Sequence, residues 1–182
     1  FVDSRNDILT GKWSASYENE GIYLSNGLHS FQIEEGFTLA PEQPEACSFT
    51  LHEVTIGIGF HWERKEDQDF KGGLKFIIED QKVTAVNQLS VEDYLTSVIS
   101  SEMSATSSIE LLKAHAVISR SWLLAQIEKN QELTSSSHDY VSLTETDDQR
   151  IKWYDREDHD NFDVCADDHC QRYQGITRAS TS

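Results

Sequence analysis

Four side chains near the end of the chain have the chemistry of a metal site. His159, Cys165, His169 and Cys170 fall within twelve residues of one another. Two thiolates and two imidazoles are a tetrahedral zinc set, and four protein ligands would make the site structural because no position stays open for water. The spacing contains no CxxC knuckle, so a Cys165–Cys170 disulfide or two free thiols in a loop remain alternatives.

A single acid, Glu102, lies in the small polar stretch "SSEMSATSS" between two apolar segments. Charged residues are mostly solvated, so the residues alone favour a surface position just past a helix end. A general acid is the alternative, because the dipole at a helix C-terminus disfavours a negative charge and so favours a protonated carboxyl group.

Two further polar residues, His115 and Arg120, stand among apolar residues of the segment that follows. A buried arginine must be paired, since an unpaired buried charge costs several kcal/mol, roughly. We therefore expect Arg120 to anchor a loop or a carboxylate. We expect His115 to be a hydrogen-bonded core histidine rather than a catalyst.

Two helices must position these residues, at about 91–101 and about 108–129. Ser90 and Asp93 form a variant of the capping box before the first helix, and Ser107 with Glu110 form one before the second. The second helix is apolar around most of its girth, which predicts a central core helix with other elements packed around it.

The first half of the chain reads as strands. Apolar residues alternate from Val54 to Trp62, which predicts a half-buried strand, and "ERKEDQD" reads as a charged turn after it. Two more strands should flank Asp80-Gln81. Strands, then two helices, then a loop-rich acidic tail predict an α+β fold, with a strand-rich part at 1–69 and a second part at 70–182.

The composition restricts the class of protein. Of 182 residues, 37% are hydrophobic, which suffices for a core. The net charge of −17 argues against binding nucleic acid. It also argues against binding a membrane surface through a polybasic patch of the protein. There is no apolar run of the length that spans a membrane and no P-loop, GxGxxG or GxSxG motif. Because the chain begins at Phe1, we expect a mature or shortened form of a longer protein.

A longer stretch, "VNQLSVEDYLTSVISSEMSATSSIELLKAHAVISRSWLLA", resembles the signature of the SpoIID/LytB family of bacterial cell-wall proteins. That signature reads approximately V-N-x-L-x-L-E-x-Y-L-x-x-V-x-x-E-M, a small loop, then A-L-K-A-Q-A-V-x-x-R-T. The tail "DVCADDHCQRYQG" resembles the metal-bearing loop of the same family. The matching positions are Asn87, Leu89, Glu92, Tyr94, Leu95, Val98, Glu102, Met103, Leu112, Lys113, Ala114, Ala116, Val117 and Arg120.

The resemblance implies a lytic transglycosylase that acts on the glycan strands of peptidoglycan, outside the cytoplasm. It also suggests a cell-wall amidase as a partner. It assigns the role of catalytic acid and base to Glu102. It also carries the zinc ligands of the family to His159, Cys165, His169 and Cys170. The residues expected to line the groove or to support Glu102 are Tyr94, Ser101, Met103, His115 and Arg120.

Departures from the family pattern leave two other functions open. His115 stands where the family usually has Gln, Ser104 stands where it usually has Pro, and the Gly- and Thr-rich segment that normally follows Tyr-x-Gly is missing. A non-catalytic wall-binding or amidase-enhancing module is therefore the alternative. A zinc hydrolase is a weaker one, which would need an open metal position.

Overall fold

The computed structural model describes residues 1–3, 8–103, 106–135, 143–146, 148–152, 159, 161–166 and 169–177, and the side chains of 130–135, 143–144 and 151–152 fall outside this description. The fold is α+β, as predicted. Its strands are β1 (Ser14–Glu18), β2 (Gly21–Ser25), β3 (Ser30–Ile33), β4 (Thr38–Leu39), β5 (Phe49–Ile56), β6 (Arg64–Phe70), β7 (Gly73–Glu79), β8 (Lys82–Gln88), β9 (Leu143–Glu145) and β10 (Arg150–Lys152), and its helices are α1 (Val91–Glu102) and α2 (Ile109–Ser135).

The strands form small antiparallel sheets rather than one large one. Their orders are β1-β2-β3, β4-β7-β8, β5-β6 and β9-β10. The predicted pair around Asp80-Gln81 is confirmed as the β7–β8 hairpin, with Glu79 paired to Lys82. Asp80 and Gln81 both have positive φ, at 50° and 60°. That is the backbone of a type I′ turn, whose twist matches the flanking strands.

The predicted strand from Val54 to Trp62 is wrong in its second half. β5 ends at Ile56, and the chain turns at Gly57 and Gly59, which have φ of 71° and 78°. A Cβ atom on Gly57 would lie 2.2 Å from the Trp62 ring, so only glycine fits there. The supposed charged turn is instead β6, which pairs with β5 in a two-stranded ribbon. Alternation of apolar residues did not reveal that the intervening glycines reverse the chain.

The first helix forms as expected. Ser90 has an extended backbone, and its hydroxyl accepts a hydrogen bond from the Asp93 amide at 3.1 Å. One face, which includes Tyr94, Leu95 and Val98, is buried. The helix reaches Glu102, so the predicted acid is the last helical residue rather than a residue beyond the end.

The second helix begins one residue later than its predicted capping box requires. Its first turn is capped by Ser108, whose hydroxyl accepts from the Leu111 amide at 3.3 Å, rather than by Ser107 with Glu110. The helix also continues to Ser135, six residues past its predicted end. Helix ends depend on local capping geometry, which apolar periodicity does not resolve.

The prediction that α2 is a central core helix is wrong for the described part of the chain. Leu123 is buried, at 3% exposed, but Val117 is 62% and Ile118 is 66% exposed. Periodicity shows which residues are apolar, whereas burial depends on whether other elements cover them. The large apolar residues exposed on α2 are Ile109, Leu111, Val117, Ile118 and Leu124.

In the part of the chain that is described, no helix has the length and apolarity needed to cross a bilayer.

Two apolar clusters hold the molecule together. The first is built on the strands, from Leu9, Ile22, Leu24, Ile33, Leu39, Leu74 and Phe76. The second joins β6 to both helices and to the C-terminal segment, through Phe70, Tyr94, Leu95, Val98, Leu123 and Tyr173. Within it the rings of Tyr94 and Tyr173 stack with centroids 5.2 Å apart. This second cluster packs together the two helices and the C-terminal segment, which carry the residues of the candidate site.

Candidate functional site

Glu102 is held from two sides at the C-terminal end of α1. Its Oε2 atom lies 2.8 Å from Nε2 of His115 on α2. Its Oε1 atom accepts a hydrogen bond from the backbone amide of Arg172 at 3.0 Å. The side chain is 27% exposed and that of His115 is 12% exposed. The carboxyl group is therefore oriented by its contacts with the His115 ring and the Arg172 amide, yet it is open to solvent, as a group that meets a substrate must be.

The segment that contains Arg172 is anchored along its length. Gln171 donates from Nε2 to the Ser119 carbonyl oxygen of α2 at 3.4 Å. The Tyr173 hydroxyl donates to the side-chain oxygen of Asn87. The Gln174 amide contacts Oγ of Ser97 on α1 at 3.4 Å. These contacts fix the backbone that presents the Arg172 amide to the carboxylate.

The remaining residues predicted for the groove take different places. Met103 caps α1, with its amide donating to the Ile99 carbonyl oxygen at 3.1 Å. Arg120 is ion-paired with Glu92, which confirms that it is paired, although its side chain is 45% exposed rather than buried. Ser101 has a buried hydroxyl without a hydrogen-bond partner among the described residues. Ser104, noted as a departure from the family pattern, lies outside the described residues.

Tyr94 lies on α1, eight residues before Glu102. The residue is 6% exposed, and its hydroxyl has no hydrogen-bond partner in the described part of the chain. Burial raises the pKa of this phenol well above its ordinary value, and the nearby Cys170 and Glu102 raise the pKa further. Tyr94 therefore stays neutral and keeps a donor hydrogen that no described acceptor takes.

The four predicted metal ligands come together, with ligand atoms within 4.8 Å of one another. Sγ of Cys170 lies 3.4 Å from Nε2 of His159 and 3.5 Å from Nδ1 of His169, and Sγ of Cys165 lies 3.9 Å from the same Nδ1. Tetrahedral bonds of ordinary zinc length would separate sulfur and nitrogen by about 3.6 Å. The cluster therefore has the donor types and the spacing to hold a metal ion.

The disulfide alternative does not describe this arrangement, since no disulfide joins Cys165 to Cys170. A cleft of about 970 Å³ borders the cluster, with His159, Cys165 and Tyr94 in its wall. Glu102 does not line it. The cleft therefore lies against the predicted metal ligands rather than around the carboxyl group.

The predicted metal ligands and the Glu102 carboxyl group are joined by a short piece of backbone. Cys170 precedes Arg172, the donor to Glu102, by two residues. The Arg172 contact could not be predicted from the sequence, because a backbone amide carries no side-chain signal. Ser119 was also missed, although its spacing of four residues from His115 places it one helical turn away. Its hydroxyl lies 3.4 Å from His115 Nε2.

Comparisons with known proteins show the family of this chain. Residues 79–182 match the SpoIID family, described as stage II sporulation protein. An uncharacterized protein of Brachyspira hyodysenteriae is 39% identical over 62 residues, which are 34% of this chain and 17% of that protein. The chain therefore matches only a small part of that relative's length. No solved structure matches the chain. Since the family match covers more than half of the chain, this protein is a member of the SpoIID family.

Proposed function

We propose that this protein cleaves the glycan strands of peptidoglycan as a lytic transglycosylase, with Glu102 as the acid and base. Membership of the SpoIID family supports a role at the cell wall. The observation that carries the catalytic proposal is the position of the Glu102 carboxyl group. It lies at a helix end, is partly open to solvent, and is oriented by His115 and by the Arg172 amide.

One carboxyl group is sufficient for this chemistry. Protonated Glu102 gives its proton to the glycosidic oxygen as the bond from that oxygen to C1 of muramate breaks. The carboxylate then takes the proton of the muramate 6-hydroxyl as that oxygen bonds to C1 and closes the anhydro ring. Glu102 ends in its starting form, and no water is consumed, so the second carboxylate of the usual glycosidases is not required.

We further propose that His159, Cys165, His169 and Cys170 hold a zinc ion with a structural role. The ion, when bound, supplies a cross-link between the segment around residue 159 and the segment 165–170. Four protein ligands leave no coordination position for a reacting group, which separates this proposal from a zinc hydrolase. The cross-link would restrict the motion of the backbone that continues to Arg172.

The substrate of such an enzyme lies outside the cytoplasmic membrane, so we propose an extracytoplasmic location. Strands whose stem peptides have been removed are the substrate form that an amidase would produce, which makes a cell-wall amidase the partner to test.

The decisive experiment is the incubation of the protein with peptide-stripped glycan strands and detection of anhydro-muramate ends by mass spectrometry. We expect Glu102→Gln to lower the rate by at least about 100-fold, the lower range for loss of a general acid. Glu110→Gln is the matched control, because Glu110 lies on the exposed surface of α2 and contacts only Lys113 among the described pairs. Anhydro ends that persist undiminished in Glu102→Gln would exclude the assigned role.

The same assay separates the alternative function. Retention of the protein on glycan strands without any new anhydro ends would identify a wall-binding or amidase-enhancing module. Addition of an amidase to intact peptidoglycan then tests whether the chain increases the release of stem peptides.

A further inference from the structure

The loop at the tip of the β5–β6 ribbon, residues 57–63, presents large apolar side chains to solvent, and we call this loop the ribbon tip. Ile58 is 67% exposed and Phe60 is 56% exposed. The rings of Phe60 and Trp62 stack with centroids 5.3 Å apart and planes inclined by 16°. In the described structure, neither ring belongs to the two apolar clusters that hold the molecule together. Apolar side chains grouped at a surface mark an interaction site, whereas single exposed ones need no explanation.

Contacts within the ribbon tip fix its shape. The Trp62 ring packs so closely on Gly57 that a Cβ atom there would lie 2.2 Å from it. The Phe60 amide donates to the Gly57 carbonyl oxygen, and the Glu63 amide donates to the Phe60 carbonyl oxygen, both at 3.0 Å. The Gly59 amide donates to Oε2 of Glu63 at 2.8 Å. The exposed ring is therefore held in place before any ligand arrives, which lowers the entropy cost of binding.

Polar groups at the ribbon tip indicate the chemistry of its ligand. The side chains of His61 and Glu63 flank Trp62 in the sequence, and both residues are exposed. A pyranose ring has a face of C–H groups and a rim of hydroxyl groups. The C–H face packs on an aromatic ring, while the hydroxyl groups bond to carboxylate and imidazole groups. A stacked aromatic pair beside a carboxylate and an imidazole therefore fits a sugar.

Other ligands of exposed aromatic loops fit this loop less well. Insertion into a lipid bilayer would desolvate the Glu63 carboxylate and the His61 imidazole, which is costly. The net charge of −17 also repels an anionic lipid surface, and it opposes the stacking of nucleic-acid bases, which needs a basic groove for the phosphates. An uncharged sugar avoids both costs, because its hydroxyl groups replace the water on the polar side chains and it carries no charge to be repelled.

We propose that the ribbon tip binds an uncharged pyranose residue of a glycan chain. The sugar stacks on the Phe60 ring, and its hydroxyl groups bond to Glu63 and His61. The ribbon tip precedes residues 79–182, so this site lies outside the part of the chain that matches the family. The identity of the glycan rests on the proposed function, which makes it a peptidoglycan strand, whose N-acetylglucosamine residues are uncharged.

The test is an NMR titration of the nitrogen-15-labelled protein with chitohexaose, a linear oligomer of N-acetylglucosamine. We expect saturable shifts of the Gly59 and Phe60 amide resonances and of the Trp62 indole resonance. Phe60→Leu keeps an apolar side chain but removes the flat ring, so we expect its dissociation constant to rise about tenfold, the upper range for a single aromatic contact. Leu28→Ala is the control and should bind as wild type does, because it removes an 88% exposed apolar side chain from the β2–β3 turn.

Two results of the titration would overturn the proposal. One is the lack of any shift at the ribbon tip at millimolar chitohexaose. The other is an equal dissociation constant for wild type and Phe60→Leu. Sedimentation with vesicles of phosphatidylethanolamine and phosphatidylglycerol tests the lipid alternative, and we expect the protein to stay in the supernatant. Sedimentation of wild type that is lost in Phe60→Ala would overturn the glycan site in favour of a lipid surface.

The titration is independent of the cleavage assay, because chitohexaose contains no muramate and cannot form an anhydro ring. Anhydro ends from peptidoglycan strands without shifts at the ribbon tip would refute the glycan site and leave the proposed function standing. Shifts at the ribbon tip without anhydro ends would support the glycan site and refute the proposed function.

Discussion

Asn87 on β8 provides the sharpest test of how the site is held. Its Nδ2 atom donates to the carbonyl oxygens of Lys71 and Gly73, both at 2.8 Å, and its Oδ1 atom accepts from the Tyr173 hydroxyl. Tyr173 is 7% exposed, so its hydroxyl has little access to water. The Asn87 side chain thus joins the β6–β7 turn to the segment whose Arg172 amide donates to Glu102.

Replacing Asn87 by alanine removes three hydrogen bonds. At about 1 kcal/mol each, we expect the free energy of unfolding to fall by about 3 kcal/mol. Tyr173→Phe removes one of the three and should cost about 1 kcal/mol. The double variant should show a coupling energy of about 1 kcal/mol, because the two residues are direct partners. Urea unfolding monitored by circular dichroism measures all of these values.

Asn87→Asp is the control that tests the donor role. It keeps an oxygen for the Tyr173 hydroxyl but turns a second oxygen toward the two backbone carbonyls. We expect a loss of at least about 2 kcal/mol, the value of two absent hydrogen bonds. An Asn87→Asp protein as stable as wild type, or an Asn87→Ala protein destabilised by less than about 0.5 kcal/mol, would refute this account of the turn.

Two other predictions concern the metal and the buried phenol. Cys170→Ser should weaken zinc binding by more than about 100-fold in competition with a chromophoric chelator, since even outer partners of a ligand contribute 10–100-fold, whereas Cys47→Ser should not change it. The pKa of Tyr94 is raised in the folded state, so the unfolded chain loses this proton first and stability falls as pH rises above about 10. Tyr94→Phe should flatten that fall in urea unfolding at pH 8 and pH 11, with the part due to Tyr173 remaining; an unchanged slope would contradict the assignment.

The sequence predicted the parts that depend on residue type and local spacing. Ser90 has the side chain that caps a helix, and it does cap α1. Asp80-Gln81 separates two strands that pair as a hairpin. The residue types near the end of the chain, with Cys165 and Cys170 beside two histidines, predicted a metal site, and the four side chains do come together. Each of these depends on a few neighbouring residues, so no distant contact is needed to predict it.

The parts that failed depend on contacts between distant residues. The alternation after Val54 predicted a continuous strand, but the Trp62 ring packs against Gly57 and the chain reverses there. The apolar residues of α2 predicted a surrounded helix, yet Val117 and Ile118 are exposed in the described structure. Periodicity is a property of one segment, whereas reversal and burial are properties of what that segment meets.

For the candidate site, the sequence by itself determined that Glu102, His115 and four side chains of metal-ligand type are present, and its motif indicated the family. Only the tertiary structure decided that Nε2 of His115 faces the carboxylate while Nδ1 is buried, and that the Arg172 amide completes the contact. The reason is physical. Residue type specifies which protons a side chain can give or accept, but the direction of a hydrogen bond and the lack of an acceptor depend on segments that arrive from elsewhere in the chain.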